Sequence, residues 1–127
     1  MKNILALALV FAVAGAAYAD ECTSGTCING KGTFKYSNGN VYEGNFKDAT
    51  LDGQGTFTYA DGEFKGGKYI GQFKNNKANG KGVFNYASGD KYDGGWEDNT
   101  LSGYGVFTYA NGKVVKGQFK NNKYVGP

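Results

Sequence analysis

Four Gly-x-Gly pairs organise the chain, at Gly30/Gly32, Gly53/Gly55, Gly80/Gly82 and Gly103/Gly105, with steps of 23, 27 and 23 residues. A repeat constrains the fold more than any composition does, because one unit cannot bury its apolar face alone and must stack on its neighbours. Two residues after each second glycine stands a phenylalanine (Phe34, Phe57, Phe84, Phe107), and two further on a tyrosine (Tyr36, Tyr59, Tyr86, Tyr109). A turn glycine follows at Gly39, Gly62, Gly89 and Gly112. Then comes an aromatic-x-Gly-x-aromatic segment: Tyr42-Gly44-Phe46, Tyr69-Gly71-Phe73 and Tyr92-Gly94-Trp96. A fourth copy, Val115-Gly117-Phe119, lacks the leading ring. The units run over 30–52, 53–79, 80–102 and 103–125. The second is four residues longer around Lys65-Gly66-Gly67-Lys68, which lengthens its turn. Gly-Gln-Phe-Lys-Asn-Asn-Lys occurs at both 71–77 and 117–123, so alternate units resemble each other most.

Each unit reads as a β-hairpin. Phe34 and Tyr36 are two apart and share one strand face, as do Tyr42, Gly44 and Phe46. Ser37-Asn38-Gly39 supplies the positive φ of a tight hairpin turn, and Asp61-Gly62, Ser88-Gly89 and Asn111-Gly112 repeat it. A glycine inside a strand needs a reason, and at Gly44 the expected one is a neighbouring strand's ring lying flat over the backbone. Thr33, Lys35, Glu43 and Asn45 fall on the opposite face, which suits water. The fold expected is all-β: an elongated, twisted, single-sheet antiparallel meander with aromatic columns Phe34-Phe57-Phe84-Phe107 and Phe46-Phe73-Trp96-Phe119. Two strands per unit at about 4.8 Å each give about 40 Å over four units. Its end strands are open edges that invite pairing with a second copy.

The first nineteen residues read as an address. Lys2 precedes a charge-free apolar run from Ile4 to Ala17, and Ala17-Tyr18-Ala19 places small residues before a cut between Ala19 and Asp20. That is the plan of a secretory signal over 1–19, and the run is shorter than the roughly 20 residues of a membrane-spanning helix. The expected location is extracytoplasmic, periplasmic or secreted. Cys22 and Cys27 flank Thr-Ser-Gly-Thr, whose Ser24-Gly25 turn lets the chain double back. In an oxidising compartment they are expected to pair, closing a cap over 20–28 that covers the first sheet edge. Their spacing is not that of a C-x-x-C redox pair.

Composition removes most chemistry. The chain has 127 residues and no His, so Ser-His-Asp triads and mixed Cys/His zinc sites are excluded. Two cysteines cannot close a four-thiolate metal site. Removing Lys2 with the leader leaves 13 basic against 11 acidic residues, a charge of +2, too little for a nucleic-acid partner. Glu43, Asp93, Glu97 and Asp98 are scattered over turns and polar faces, and Gly-Lys-Gly at 30–32 and 80–82 leads into a strand without the flanking residues of a phosphate loop. No catalytic, metal or cofactor residues are assigned.

The segments Tyr42-x-Gly44-x-Phe46 to Gly53-x-Gly55, Tyr69-x-Gly71-x-Phe73 to Gly80-x-Gly82 and Tyr92-x-Gly94-x-Trp96 to Gly103-x-Gly105 resemble the MORN repeat family, with partial copies at both ends, over residues 29–127. The resemblance implies an elongated β-meander that positions partners, self-associates or sits near membranes, without catalysis of its own. It carries over the repeat glycines and rings as fold determinants and defines no ligand contacts. The leading expectation is therefore an exported scaffold or protein-interaction module, with Tyr36, Tyr59, Tyr86 and Tyr109 as the candidate contact surface. Two alternatives remain open: an envelope glycan stacked on rows of rings, and an anionic membrane surface met by lysines such as Lys35, Lys47, Lys65, Lys68, Lys74, Lys77, Lys120 and Lys123.

Overall fold

The computed structural model describes residues 20–127; the leader read over 1–19, with its cut after Ala19, lies outside the described residues. Ten strands follow one another: β1 (Glu21–Gly25), β2 (Gly30–Lys35), β3 (Val41–Lys47), β4 (Thr50–Thr58), β5 (Lys68–Lys74), β6 (Lys77–Asn85), β7 (Lys91–Glu97), β8 (Thr100–Thr108), β9 (Val114–Lys120) and β10 (Lys123–Gly126). They form one sheet in sequence order, each antiparallel to the next, which is the expected single-sheet meander. Nine inter-strand steps of about 4.8 Å make it roughly 43 Å long.

The two glycines of each Gly-x-Gly have different jobs. The second belongs to a row that crosses the sheet: Gly25, Gly32, Gly44, Gly55, Gly71, Gly82, Gly94, Gly105 and Gly117 stand directly opposite one another, one per strand from β1 to β9. A Cβ on Gly44 would stand 2.8 Å from Tyr42 Oη, and one on Gly55 2.5 Å from Tyr42 Cζ. Tyr69 lies in the same way over Gly71 and Gly82, and Tyr92 over Gly94 and Gly105. The ring over Gly44 thus comes from its own strand, two residues earlier, and not from a neighbour; only Gly55 is covered from the adjacent strand. The reason is the anchor at the ring's tip. Tyr42 Oη donates to the Asn45 carbonyl at 2.7 Å, Tyr69 Oη to Gln72 O at 2.9 Å and Tyr92 Oη to Gly95 O at 2.9 Å, so each ring must lean forward along its strand. The first glycine of each pair is a backbone requirement. Gly53, Gly80 and Gly103 have φ of 98°, 98° and 79° inside bulges. There β4, β6 and β8 set three residues against one on the preceding strand, and positive φ suits glycine.

The aromatic columns are interleaved, not stacked like on like. Phe34 and Phe57 stand on alternate strands, with Tyr42 directly opposite each of them on the strand between. In register across the sheet the row reads Phe34-Tyr42-Phe57-Tyr69-Phe84-Tyr92-Phe107-Val115. Tyr59 then bridges Phe57 at 4.7 Å and Phe84 at 5.8 Å, and Tyr86 bridges Phe84 at 4.5 Å and Phe107 at 5.9 Å. On the other side Tyr42 meets Phe46 and Phe73, Tyr69 meets Phe73 and Trp96, and Tyr92 meets Trp96 and Phe119, all edge to face within 5.0–5.4 Å. Edge-to-face geometry matches ring quadrupoles and adds about 0.5–1.5 kcal/mol per pair beyond burial.

The tightest turns are not those expected. Gly39 does have a positive φ of 95°, but it sits in a five-residue loop closed by Tyr36 N donating to Asn40 O at 2.8 Å. The two-residue turns join β3–β4, β5–β6, β7–β8 and β9–β10 at Asp48-Ala49, Asn75-Asn76, Asp98-Asn99 and Asn121-Asn122, with positive φ at both positions of each. The asparagine at the second position of the last three turns docks its hairpin on the preceding one. Leu51 N donates to Asn76 Oδ1 at 2.8 Å and Asn76 N returns to Leu51 O at 3.0 Å; Asn99 does the same to Ala78, and Asn122 to Leu101. These tips help cover a one-layer sheet well enough that Tyr42, Leu51, Phe57, Tyr69, Phe84, Tyr92 and Leu101 are fully buried.

Both ends copy the pattern with substitutes. Residues 21–25 form a strand where only a loop was expected, and Cys22 stands opposite Phe34. Its disulfide to Cys27, Cα–Cα 5.9 Å, spans Gly25 as Tyr42 and Phe46 span Gly44, so a cystine takes the place of the aromatic pair. Asp20 caps the start by accepting a hydrogen bond from Ser37 N. At the far end Val115 has no ring to lay on Gly117. Tyr124 of β10 fills the place: a Cβ on Gly117 would meet its Cε1 at 2.9 Å, and its Oη donates to Lys116 O at 3.0 Å. The longer loop of the second unit buries Phe64 against Tyr59 and Phe84.

Candidate interaction surface

Strand alternation sends every second side chain to the face away from the rings. One row on that open face runs Thr33, Glu43, Thr56, Ile70, Val83, Asp93, Val106, Lys116, each directly opposite the next. The next row holds Lys31, Asn45, Gln54, Gln72, Lys81, Gly95, Tyr104 and Gln118. Between the two, at the β1–β5 end, lies a trough of about 540 Å³, floored by Gly32, Gly44 and Gly55 and walled by Lys31, Thr33, Glu43, Asn45, Gln54, Thr56 and Ile70. The bulges shape it. Asn45 Nδ2 donates to Gln54 O at 3.3 Å, and Lys81 N donates to Gln72 Oε1 at 2.7 Å, so a side-chain amide ties each of the first two bulges. The third bulge has Gly95 in that place and carries no such amide.

The tyrosine column sits elsewhere. Tyr36 and Tyr59 are buried in the core, and Tyr86 and Tyr109 are half-buried against it, so these rings pack on Phe34, Phe57, Phe84 and Phe107 and form no open row. The Tyr59 and Tyr86 hydroxyls are buried with no acceptor in reach. Burial pushes the Tyr36, Tyr59 and Tyr86 hydroxyls far above the ordinary tyrosine range, because a phenolate there would lose its hydration; Asp20 near Tyr36 and Asp90 near Tyr86 add to the effect. Tyr42, Tyr69 and Tyr92 are raised for the same main reason, partly offset by the carbonyls they bond. The remaining repeat determinants, from Gly53 to Phe119, lie in the rows described above.

One ring was missed by sequence reasoning. Tyr104, 53 % exposed, is the single strongly exposed aromatic among the described residues, and it projects on the open face. A signal was present: it occupies the middle of Gly103-x-Gly105, where the other units carry Lys31, Gln54 and Lys81.

Charged groups do not assemble. Glu43 and Asp93 share the open row but stand on β3 and β7, about 19 Å apart at strand spacing, too far for a glycosidase pair. Among the described residues no three His, Cys, Asp or Glu side chains gather as a metal site. Lys74 stands directly opposite Lys77, and Lys120 opposite Lys123, beside the Asn-Asn turns.

With this geometry in view, the family model of the MORN repeat matches residues 28–41, 42–64, 69–91, 92–114 and 116–127. The three central segments start at the leading aromatics Tyr42, Tyr69 and Tyr92, so each pairs the second strand of one repeat unit with the first strand of the next. No curated protein matches the chain.

Proposed function

Because the chain belongs to the MORN repeat family, we propose that it is a non-catalytic, exported scaffold that presents the open face of its sheet to partners in the cell envelope, a protein above all. The observation that carries this is the division of the two faces. Seventeen of the eighteen described aromatic rings are spent on packing, while the other face keeps a continuous, mixed polar surface from β2 to β9 with no assembled reactive group. A rigid single-layer sheet of this kind offers contact area without chemistry. The Cys22–Cys27 disulfide suits an oxidising compartment, which supports export.

Two experiments test the reading. Intact mass of the protein from its host's extracytoplasmic fraction, without reductant, should start at Asp20 and be lighter by two hydrogens; an uncleaved, reduced chain refutes export. The immobilised protein should capture an envelope component, and Ile70→Lys with Tyr104→Lys on the open face should abolish capture. Capture untouched by that pair refutes the assignment of the face.

A second reading, contact with an anionic membrane through the turn edge, is favoured by the cross-strand Lys74/Lys77 and Lys120/Lys123 pairs. Like charges directly opposite each other cost stability unless something anionic meets them. Liposome sedimentation at two salt concentrations tests it, with about 1 kcal/mol per well-placed lysine at low salt. Loss of binding in Lys74→Ser/Lys77→Ser is the expected outcome, and its absence counts against this edge.

A further inference from the structure

We infer that the trough, prolonged to Tyr104, binds an uncharged linear glycan. The inference rests on the open face being the contact surface, and it adds a glycan to the protein partner proposed for that face.

The chain's own fifty-residue repeat points to such a ligand. Residues 30–60 and 80–110 are offset by fifty positions and keep the same core: Phe34/Phe84, Tyr42/Tyr92, Leu51/Leu101 and Phe57/Phe107 are identical, and only Phe46/Trp96 exchanges one ring for another. Around the trough the halves diverge. Thr33 and Thr56 become Val83 and Val106, Asn45 becomes Gly95, and Gln54 becomes Tyr104. The fold tolerates either set, so packing does not demand hydroxyls and amides in the first half or an exposed ring in the second. A ligand that wants hydrogen bonds at one end and a flat apolar face at the other accounts for both.

The chemistry of the trough points the same way. The wall of the trough holds hydroxyls at Thr33 and Thr56, an amide at Gln54, a carboxylate at Glu43 and an ammonium at Lys31, so donors and acceptors are mixed and the formal charge sums to zero. That complements a polyhydroxylated neutral ligand and repels neither end of it. A polyanion would find Glu43 in its path. Ile70, half exposed, is the one apolar side chain in the trough's lining. About 540 Å³ accommodates a few sugar rings.

The spacing of the strands also suits a sugar chain. The trough runs across the strands, so its side chains recur about every 4.8 Å, close to the length of one pyranose ring. From Lys31 on β2 to Tyr104 on β8 is six steps, about 29 Å. At the Tyr104 end Gly95 supplies no side chain on the neighbouring strand, which leaves the ring face clear for stacking against a sugar's C–H face.

The test is calorimetric titration of the oxidised protein with two neutral probes, the β-1,4-linked hexasaccharides of glucose and of N-acetylglucosamine. Saturable binding of at least one is expected, little changed between low and high salt, since no ion pair is involved. Tyr104→Ala and the double variant Thr33→Val/Thr56→Val, which copies the second half, should each weaken it about tenfold. Neither touches a core side chain, and unchanged thermal unfolding shows that both still fold. Absence of binding for both hexasaccharides at millimolar concentration overturns the proposal, as does binding that neither variant alters. If envelope capture by the open face is abolished by protease treatment of the fraction and survives glycosidase, the glycan assignment fails while the open-face scaffold stands.

Discussion

Replacing Gly82 by alanine should destabilise this protein, although glycine-to-alanine in a strand ordinarily gains about 0.5–1 kcal/mol from backbone entropy. Gly82 does not have a positive φ, so backbone strain plays no part and the effect isolates one contact. The added Cβ would stand 2.5 Å from Cζ of Tyr69, against about 3.5–4.0 Å for a relaxed carbon contact. The ring has to retreat by about 1 Å or more. It has nowhere to go: Tyr69 is fully buried, edge to face with Phe73 at 5.0 Å and Trp96 at 5.1 Å, and its hydroxyl is held by Gln72 O. Overpacking of this kind costs about 1–3 kcal/mol. Losing the hydroxyl bond adds about 1 kcal/mol. Set against the entropic gain of about 0.5–1 kcal/mol, the expected net loss is about 1–3.5 kcal/mol, a large share of a typical domain's 5–15 kcal/mol. Urea unfolding followed by the fluorescence of Trp96, which touches the displaced ring, reads it directly. The discriminating measurement is a double-mutant cycle with Tyr69→Leu, which removes the outer ring and the hydroxyl. In that background Gly82→Ala should cost at least about 1.5 kcal/mol less. A coupling below about 0.5 kcal/mol would refute the claim that the glycine row exists to seat tyrosine rings.

Ala49 has φ of 63° in a two-residue turn whose counterparts carry Asn76, Asn99 and Asn122, so Ala49→Asn should raise stability by about 1 kcal/mol in the same urea assay. The cystine holds β1 in place of a ring pair, so Cys22→Ser/Cys27→Ser should cost about 2 kcal/mol. Hydrogen exchange should then show β1 and the β2 edge opening before any other strand. Stability should also fall at alkaline pH. Because Tyr36, Tyr42, Tyr59, Tyr69, Tyr86 and Tyr92 have hydroxyls raised by burial, the folded form binds their protons more tightly than the unfolded chain does. Their contribution is complete below the unfolded value of about 10 and declines as pH rises above it. Phenolate absorbance of these rings should appear together with loss of β-structure; free titration in a folded protein would contradict the burial.

Much of this architecture is written locally. Phe34 and Tyr36 spaced by two, a turn glycine three residues on, and Tyr42-Gly44-Phe46 beyond it define a hairpin whatever surrounds it, and repetition of that unit defines a meander. The Cys22–Cys27 ring was legible for the same reason, since only a short turn separates the sulfurs. The candidate surface was less legible. Tyr36 and Tyr59 look amphipathic in sequence, yet interleaving with Phe57 and Phe84 buries them. Tyr104 looks like one more repeat aromatic, yet it falls inside a bulge and points to the other face.

The sequence by itself determined the strand count within each unit, the order of the strands and the need for glycine at fixed intervals, because periodicity two and turn chemistry act within a few residues. Only the tertiary structure decided which ring covers which glycine, where the tightest turns fall, and which face stays open. Those depend on strand register, and register is set across the sheet: Tyr42 covers Gly55 from thirteen residues away along the chain, and Asn76 clamps Leu51 from twenty-five residues away. The substitutes at the two ends follow the same rule. The Cys22–Cys27 pairing was announced by its short turn, but that this cystine and Tyr124 stand in for repeat rings follows only from the places that neighbouring strands create.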